Sequence, residues 1–277
     1  MPQQKHLFML NLKNLAFAFF LIGATQGAYS QIGFSHEVGI VGGPLQLRSD
    51  FGERENDKTN FGNSGFGIGV VHYINFSYKP NLNYLRAYTY FDEHFKIRNE
   101  ISWNKTNLEH FGKWVDPSKT TEDAKRLRGH KGEANNINIG TELEFYPFEI
   151  HAFEVLQHKF APYVSLGVHY TFFTPKVSTD YENPDPNAFG NVLNPSNFYS
   201  NWEPGSVDAS PGNTFSIISS IGIRYKLDKF SDLMLNIRGQ YYFNDWVDGL
   251  NHQLNSNKYN DWLVWVNVGY IYYLNRY

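Results

Sequence analysis

The sequence predicts an all-β protein: a transmembrane, antiparallel, up-and-down β-barrel of about eight strands with long external loops. Two patterns predict this fold. Segments of roughly ten residues alternate between apolar and polar side chains, as strands with one lipid-facing side do. The connections between these segments are alternately long and short. A high aromatic content agrees with both patterns, since 17% of the residues are Phe, Tyr or Trp.

The N-terminal residues have the composition of an export signal. Lysines precede an apolar run at 15–22 that is too short to span a membrane. Ala28 and Ser30 place small residues at the two positions that a signal peptidase reads. We therefore expect residues 1–30 to be a signal peptide and residues 31–277 to form the outer-membrane β-barrel.

Composition excludes several classes of protein. The chain has no Cys, so it is neither a disulfide-stapled secreted domain nor a lipoprotein. It has 24 basic and 27 acidic residues, a net charge of −3, and nucleic acid is not an expected partner at that balance. A mean hydropathy of −0.46 is compatible with a membrane barrel, because only alternate strand residues meet lipid.

Eight segments of the chain show the alternation. In one of them, Leu235 and Ile237 alternate with Asn236 and Arg238, so one face is apolar and the other polar. In some segments the face opposite the apolar one consists mainly of Gly, Ser, Asn or Tyr. The eight segments are 32–42, 65–78, 95–104, 137–146, 160–173, 215–227, 233–243 and 262–277.

The lengths of the connections favour a membrane barrel over a soluble β-sandwich, which also alternates. Bacterial outer-membrane barrels have long external loops and short periplasmic turns. If the mature chain starts in the periplasm, every long connection falls outside, and the tightest turn, 228–231, falls inside. The long connections are 44–64, 105–136, 174–214 and 244–261, and the third of them is rich in Asn, Pro, Gly and Ser without a sustained strand pattern.

The end of the chain carries a family resemblance. The segment 262–277 looks like the terminal strand by which outer-membrane barrels are recognised for assembly, with Tyr277 in place of the more usual Phe. The whole mature chain resembles the small barrels typified by the OmpA membrane domain and OmpX. This resemblance implies an eight-stranded transmembrane barrel in the outer membrane of a Gram-negative cell envelope.

A second, weaker resemblance concerns residues 242–248, Tyr-Phe-Asn-Asp-Trp-Val-Asp. This segment is similar to a Phe-Thr-Asp-Tyr-Leu-Asp segment in PorG-like barrels of the Bacteroidota type IX secretion system. Asn244 and Trp246 depart from that pattern. The resemblance implies a role connected with secretion.

The same alternation predicts a charge network in the barrel interior. The interior of an eight-stranded barrel is only wide enough for side chains to fill it, and unpaired charges there would be costly, so opposite charges should pair. The alternative for Glu142 and Glu144 is acid–base catalysis by paired carboxylates. The predicted network is Arg98, Glu100, Glu142, Glu144, Arg224 and Arg238, with Glu37, Lys96 and Lys226 on the same face.

The second long connection contains a predicted helix. Thr120 and Asp123 have capping-box spacing, and Gly129 suits a helix end. Basic residues on this helix could contact lipopolysaccharide phosphates, and the alternative is a solvated helix whose charges aid solubility. The candidate contact residues are Lys119, Lys125, Arg126 and Arg128.

No catalytic, cofactor-binding or metal site is predicted, and no cofactor. The ten His residues lack the spacing of a zinc enzyme and form no close pair in the sequence. The prediction is a non-enzymatic outer-membrane barrel, a structural or accessory component of an envelope machine, with secretion as one option. The alternatives are a narrow channel for small solutes and a lipid-modifying enzyme. Expected partners are outer-membrane lipids, with lipopolysaccharide and an envelope protein complex as further candidates.

Overall fold

The structure, a computed structural model, describes residues 34–53, 56–77, 89–182, 191–255, 257 and 259–274. The predicted signal peptide and Tyr277 lie outside these residues. The strands in the described part are β1 (Ser35–Arg48), β2 (Ser64–Asn75), β3 (Phe95–Glu109), β4 (His130–Phe145), β5 (Phe160–Phe173), β6 (Lys176–Thr179), β7 (Gly212–Lys226), β8 (Ser231–Tyr242) and β9 (Trp262–Tyr273).

Eight of these strands form a closed antiparallel barrel. Their order is β3-β2-β1-β9-β8-β7-β5-β4, and β4 also pairs with β3, which closes the sheet. Each neighbour in the chain is a neighbour in the barrel once the short β6 is set aside. The predicted up-and-down barrel of eight strands is therefore confirmed.

The alternation in the sequence corresponds to the two faces of the barrel wall. In β8, the side chain of Ile237 is 50% exposed on the outer surface, whereas Arg238 is 1% exposed in the interior. The same alternation runs along the other strands of the barrel. An outer surface made of exposed Ile, Leu, Val and aromatic residues would be unfavourable in water, and its proper solvent is lipid.

Strand β1 is longer than predicted. The predicted segment ended at Gly42, but β1 continues through Gly43 and Pro44 to Arg48. Pro44 has no backbone N–H to donate, and the ladder to β9 has no pairs at Gly43 and Pro44, while pairing with β2 continues through both residues. A proline thus interrupts one ladder without ending the strand.

The hairpin of β3 and β4 also extends beyond the predicted segments, which ended at 104 and began at 137. The extension pairs residues 105–109 with residues 131–135. Its outward side chains are polar, including Lys105 and Glu133, which form an ion pair at 2.8 Å. The apolar alternation stops because this part of the hairpin projects beyond the lipid, and this explains why the sequence pattern missed it.

Four connections lie at one end of the barrel, at 49–63, 110–129, 174–211 and 243–261. We call this the external end, because long loops of outer-membrane barrels face outside. The predicted contrast between long external and short periplasmic connections fails for the connections on either side of β2. Because β1 is longer than predicted, the external connection 49–63 is shorter than the periplasmic connection 76–94. The contrast holds for the rest of the barrel, where the opposite turns are 146–159 and 227–230.

Short helices lie in the connections: α1 (Asp57–Asn60), α2 (Tyr90–His94), α3 (Glu122–Gly129) and α4 (Ile150–Glu154). The predicted external helix is α3, but its N-cap is Thr121, whose side chain accepts from the Ala124 N–H, and not Thr120. The third connection contains the four-residue strand β6, which pairs with the external extension of β4 and which no sustained pattern in the sequence indicates. No helix in the described part of the chain is long and apolar enough to cross a membrane.

The outward position of Ile237 near the middle of β8 gives a test of the lipid-facing surface. Ile237→Arg should destabilise the folded barrel by about 2 to 4 kcal/mol, because it places a charge at bilayer depth. Unfolding of the protein refolded into lipid vesicles, followed by heat-modifiable gel mobility, measures this. Ile237→Val and Lys125→Ala, the latter on the external helix, should cost much less. Equal losses for all three variants would mean that this face does not meet lipid.

Candidate functional sites in the barrel interior and the external cap

The first candidate site is a cluster of buried charges in the middle of the barrel. Two guanidinium nitrogens of Arg238 on β8 each lie 2.7 Å from a different carboxylate oxygen of Glu100 on β3. One of them also lies 2.7 Å from Glu142 on β4. This planar fork spans the interior from one wall to the other, and the guanidinium suits the role because it donates in two directions at once.

Arg98 completes this central cluster. Its guanidinium donates to Glu100 at 2.5 Å and lies 3.8 Å from both Glu142 and Glu144. Glu144 also accepts a hydrogen bond of 2.6 Å from the Tyr146 hydroxyl. The ion pairs therefore account for Glu142 and Glu144 without a catalytic role.

Arg224, the sixth predicted residue, belongs to a second cluster nearer the periplasmic end. It lies 2.7 Å from Glu37 and 3.5 Å from Asp232. Lys96 bridges Glu37 at 2.5 Å and Glu154 at 3.2 Å. The structure thus brings five of the six predicted residues together and places Arg224 with different partners.

The prediction missed two carboxylates in the second cluster. Asp232 lies 3.2 Å from Lys226 and accepts a hydrogen bond of 2.6 Å from Tyr273. Asp232 and Arg238 face the same side of β8, so a predicted segment that began at residue 232 would have included this carboxylate. Glu154 comes from helix α4 in a periplasmic turn, and the strand alternation carries no signal for it.

The second candidate site is the cap formed by the four external connections. Asp50 from the first connection donates its backbone N–H to Asp248 and accepts from the backbone N–H of His252, both at 3.0 Å. Val207 in the third connection forms a β-bridge with Leu250 in the fourth. These contacts tie three of the connections together at the external end of the barrel.

Histidines and aromatic rings form the interior of the cap. The rings of His110 and His130 share a hydrogen bond of 2.8 Å, and both stack against Phe51. Trp202 lies between these rings and His252. The histidines form no close pair in the sequence, but His110 and His130, 20 residues apart, meet where the hairpin closes. Burial lowers the pKa of His110 to about 3, so its imidazole is neutral at neutral pH.

A pocket of about 590 Å³ opens beside this cluster. All four external connections contribute to its walls, with Phe51, His110, Trp202 and His252 among the lining residues. Two carboxylates, Asp50 and Glu53, also line it, and no Lys or Arg does in the part of the chain that the structure describes. In the same described residues, no group of three or more His, Asp or Glu is arranged to hold a metal ion.

The four residues predicted to contact lipopolysaccharide lie on α3 or just before it. Each of them already interacts with another residue of the external connections. Arg126 donates to the Ser196 carbonyl, and Arg128 donates to the carbonyls of Asp116 and Lys119. Lys119 lies over the ring of Trp114, at 4.5 Å from its centroid. Lys125 pairs with Glu122 at 2.7 Å, and its side chain is 46% exposed.

A closed barrel with a lipid-facing apolar surface and a polar, filled interior defines the class: the chain is a transmembrane β-barrel of the outer-membrane kind. Its place is the cell outer membrane of a Gram-negative envelope. No protein-family model and no curated protein sequence matches it. The weak likeness of 242–248 to PorG-like barrels stays a prediction.

Several solved outer-membrane barrels are similar to this chain at low sequence identity. A major outer membrane protein from Thermus thermophilus is 14% identical, with 87% of this chain and 99% of that chain covered and a TM-score of 0.45. Neisserial surface protein A is 11% identical, with 87% and 96% covered and a TM-score of 0.40. Yersinia pestis Ail, solved with the heparin analogue sucrose octasulfate, is 9% identical, with 87% and 97% covered and a TM-score of 0.39.

Arg238 provides a test of the central cluster. Arg238→Ala should cost about 3 to 5 kcal/mol in the free energy of unfolding, because it strands buried carboxylate charge on Glu100 and Glu142. Urea unfolding of the barrel in lipid vesicles measures this. Glu100→Gln added to that variant should recover part of the loss, since it removes one stranded charge. Lys229→Ala, in the exposed periplasmic turn, is the control, and an equal loss there would contradict the network.

His110 provides a test of the cap. Its folded pKa is about 3, against 6.5 for an ordinary histidine, so an unfolded cap binds a proton between these values that the folded cap does not. Cap stability should therefore fall as the pH drops from about 6.5 towards 3. Tryptophan fluorescence, to which Trp202 of the cap contributes, should report this loss while gel mobility shows that the barrel is still folded. His110→Phe should flatten the pH dependence and His158→Phe should not; identical profiles would refute the assignment.

Proposed function

We propose that the protein is a non-enzymatic outer-membrane barrel with a sealed interior, which serves as a structural or accessory component of the cell envelope through its external cap. In this proposal, residues 1–30 are the signal peptide that is removed during export. The observation that carries the proposal is the convergence of all four external connections into one cap whose residues Phe51, Trp202 and Leu250 are buried. Loops that merely join strands do not require such packing.

The charge clusters support a sealed interior. Arg238 and Glu100 come from strands on different sides of the barrel and meet inside it, and Arg224 and Glu37 do the same nearer the periplasm. Helix α4 adds buried Ile150 and Phe153 at the periplasmic end. Side chains that fill the interior in this way restrict a water path, which argues against the channel alternative.

The cap pocket supports a binding role. Its volume of about 590 Å³ falls within the range of roughly 300 to 1,000 Å³ that is usual for small-molecule sites. The aromatic rings offer contact area, and the carboxylate of Glu53 and the amide of Asn201 offer hydrogen bonds. An envelope protein or a small molecule presented outside the cell would meet this surface first. The exposed side of α3, with Lys125 as its most exposed predicted cation, remains our candidate for lipopolysaccharide contact.

The experiment has two readouts on the full mature barrel. A photo-crosslinking residue placed at Leu254, at the mouth of the pocket, should capture an envelope partner in intact cells, and one placed at Phe230, in a periplasmic turn, should not. In a planar bilayer the wild type should show no steady conductance. Capture at Phe230 alone would contradict the role of the cap. Stable single-channel steps would favour the channel, and altered lipid A in a deletion strain would favour the enzyme.

A further inference from the structure

A groove of about 560 Å³ lies on the outer surface of the barrel, across β7, β8 and β9. Its floor includes Ser219 and Gly239, and Ile217 and Tyr241 stand beside them. At its external end it is lined by Arg48, Tyr259, Asn260 and Trp262. The groove therefore runs from the lipid-facing wall towards the rim where the external connections begin.

The groove exists because two small residues stand side by side in the lipid-facing layer. Ser219 and Gly239 are direct partners in the ladder of β7 and β8. A Cβ atom added at Gly239 would meet nothing closer than the Ser219 hydroxyl, at 3.7 Å, so the space above it is open. The next outward pair, Ile217 and Tyr241, is large and exposed. Something other than the protein's own side chains must fill this gap in the apolar layer.

The depth of the groove identifies what fills it. Gly239 lies three residues before the end of β8 at Tyr242, which places it about 10 Å below the external end of that strand. This is the outer half of the lipid-facing surface, where outer-leaflet acyl chains lie. Neither water nor a soluble protein reaches an apolar surface at this depth, so the occupant is a lipid chain.

The rim of the groove has the chemistry of a head-group site. Arg48 and Trp262 are partners in the ladder of β1 and β9, and the guanidinium lies 4.8 Å from the centre of the indole. A tryptophan at the interface with an arginine beside it is a typical arrangement where an anionic head group meets a membrane protein. Arg48 also pairs with Asp57, whose side chain is 76% exposed. The Arg48 side chain is 17% exposed, but the carboxylate of its partner faces solvent, so a phosphate can share or replace that carboxylate.

We propose that this groove binds one acyl chain of a phosphorylated glycolipid of the outer leaflet, with the lipid phosphate beside Arg48 and Trp262. The site lies on the lipid-facing wall, so it is separate from the cap and does not depend on the cap function proposed above. It also differs from the lipopolysaccharide contact predicted on α3. The groove recognises the chain and the phosphate together, which distinguishes it from general contact with bulk lipid.

The test uses native mass spectrometry of the full mature barrel in mild detergent, with three probes: lipid A carrying its phosphates, dephosphorylated lipid A, and phosphatidylglycerol. The wild type should bind one phosphorylated lipid A. Gly239→Leu should weaken this binding by at least about tenfold, because the new side chain fills the groove. Ile139→Leu, on the lipid-facing side of β4, is the matched control and should bind as the wild type does. Ser219→Leu fills the same gap and replaces Gly239→Leu in the binding test if that variant does not fold.

The head-group arm compares Arg48→Gln with Lys58→Gln, an exposed cation in the external connection that follows Arg48. Arg48→Gln should weaken binding of phosphorylated lipid A by about fivefold or more and should remove its preference over the dephosphorylated form. Lys58→Gln should change neither. Unchanged binding in a folded Gly239→Leu or Ser219→Leu variant would overturn the groove. Equal binding of the dephosphorylated form would overturn the role of Arg48, and equal binding of phosphatidylglycerol would overturn the glycolipid as its occupant.

Discussion

The backbone of this protein must satisfy its own hydrogen bonds, because hydrocarbon offers no partner to an unpaired N–H or C=O group. Closure of the sheet by the pairing of β3 with β4 meets this requirement, since no barrel strand is left with a free edge. The interruption of one ladder at Pro44 is tolerated because the strand still pairs on its other side. The charge network and the lipid-facing wall lie on the two faces that closure creates.

Closure with eight strands also fixes what the interior can contain. The space is narrow, so side chains fill it, and long cationic residues such as Arg238 and Arg224 reach carboxylates on other walls. Aromatic rings line the same space, and Arg224 lies 4.3 Å from the centre of the Tyr73 ring. Burial of these charges is costly unless each is paired. The network therefore favours one arrangement of the interior side chains over others.

The external end of the barrel and its outer wall offer different chemistry to the surroundings. At the external end, neutral histidines and aromatic rings form a cap that has a pocket and no lining cation in the described residues. On the wall, the small residues Ser219 and Gly239 leave a groove that leads to Arg48. The first surface suits a partner outside the cell, and the second suits a lipid. In the two proposals made above, this separation lets one small barrel make both contacts.

The alternation in the sequence by itself determined the barrel, and with it the inward position of residues such as Arg238 and the outward position of residues such as Ile237. This was possible because strand periodicity is local and repeats every two residues. Which inward residues meet was decided only by tertiary structure. Arg238 and Glu100 are 138 residues apart, and their contact depends on the register of every intervening strand pair around the closed barrel. The pairing of His110 with His130 and the entry of Glu154 from a turn likewise depend on how the loops fold back, for which a local period carries no information.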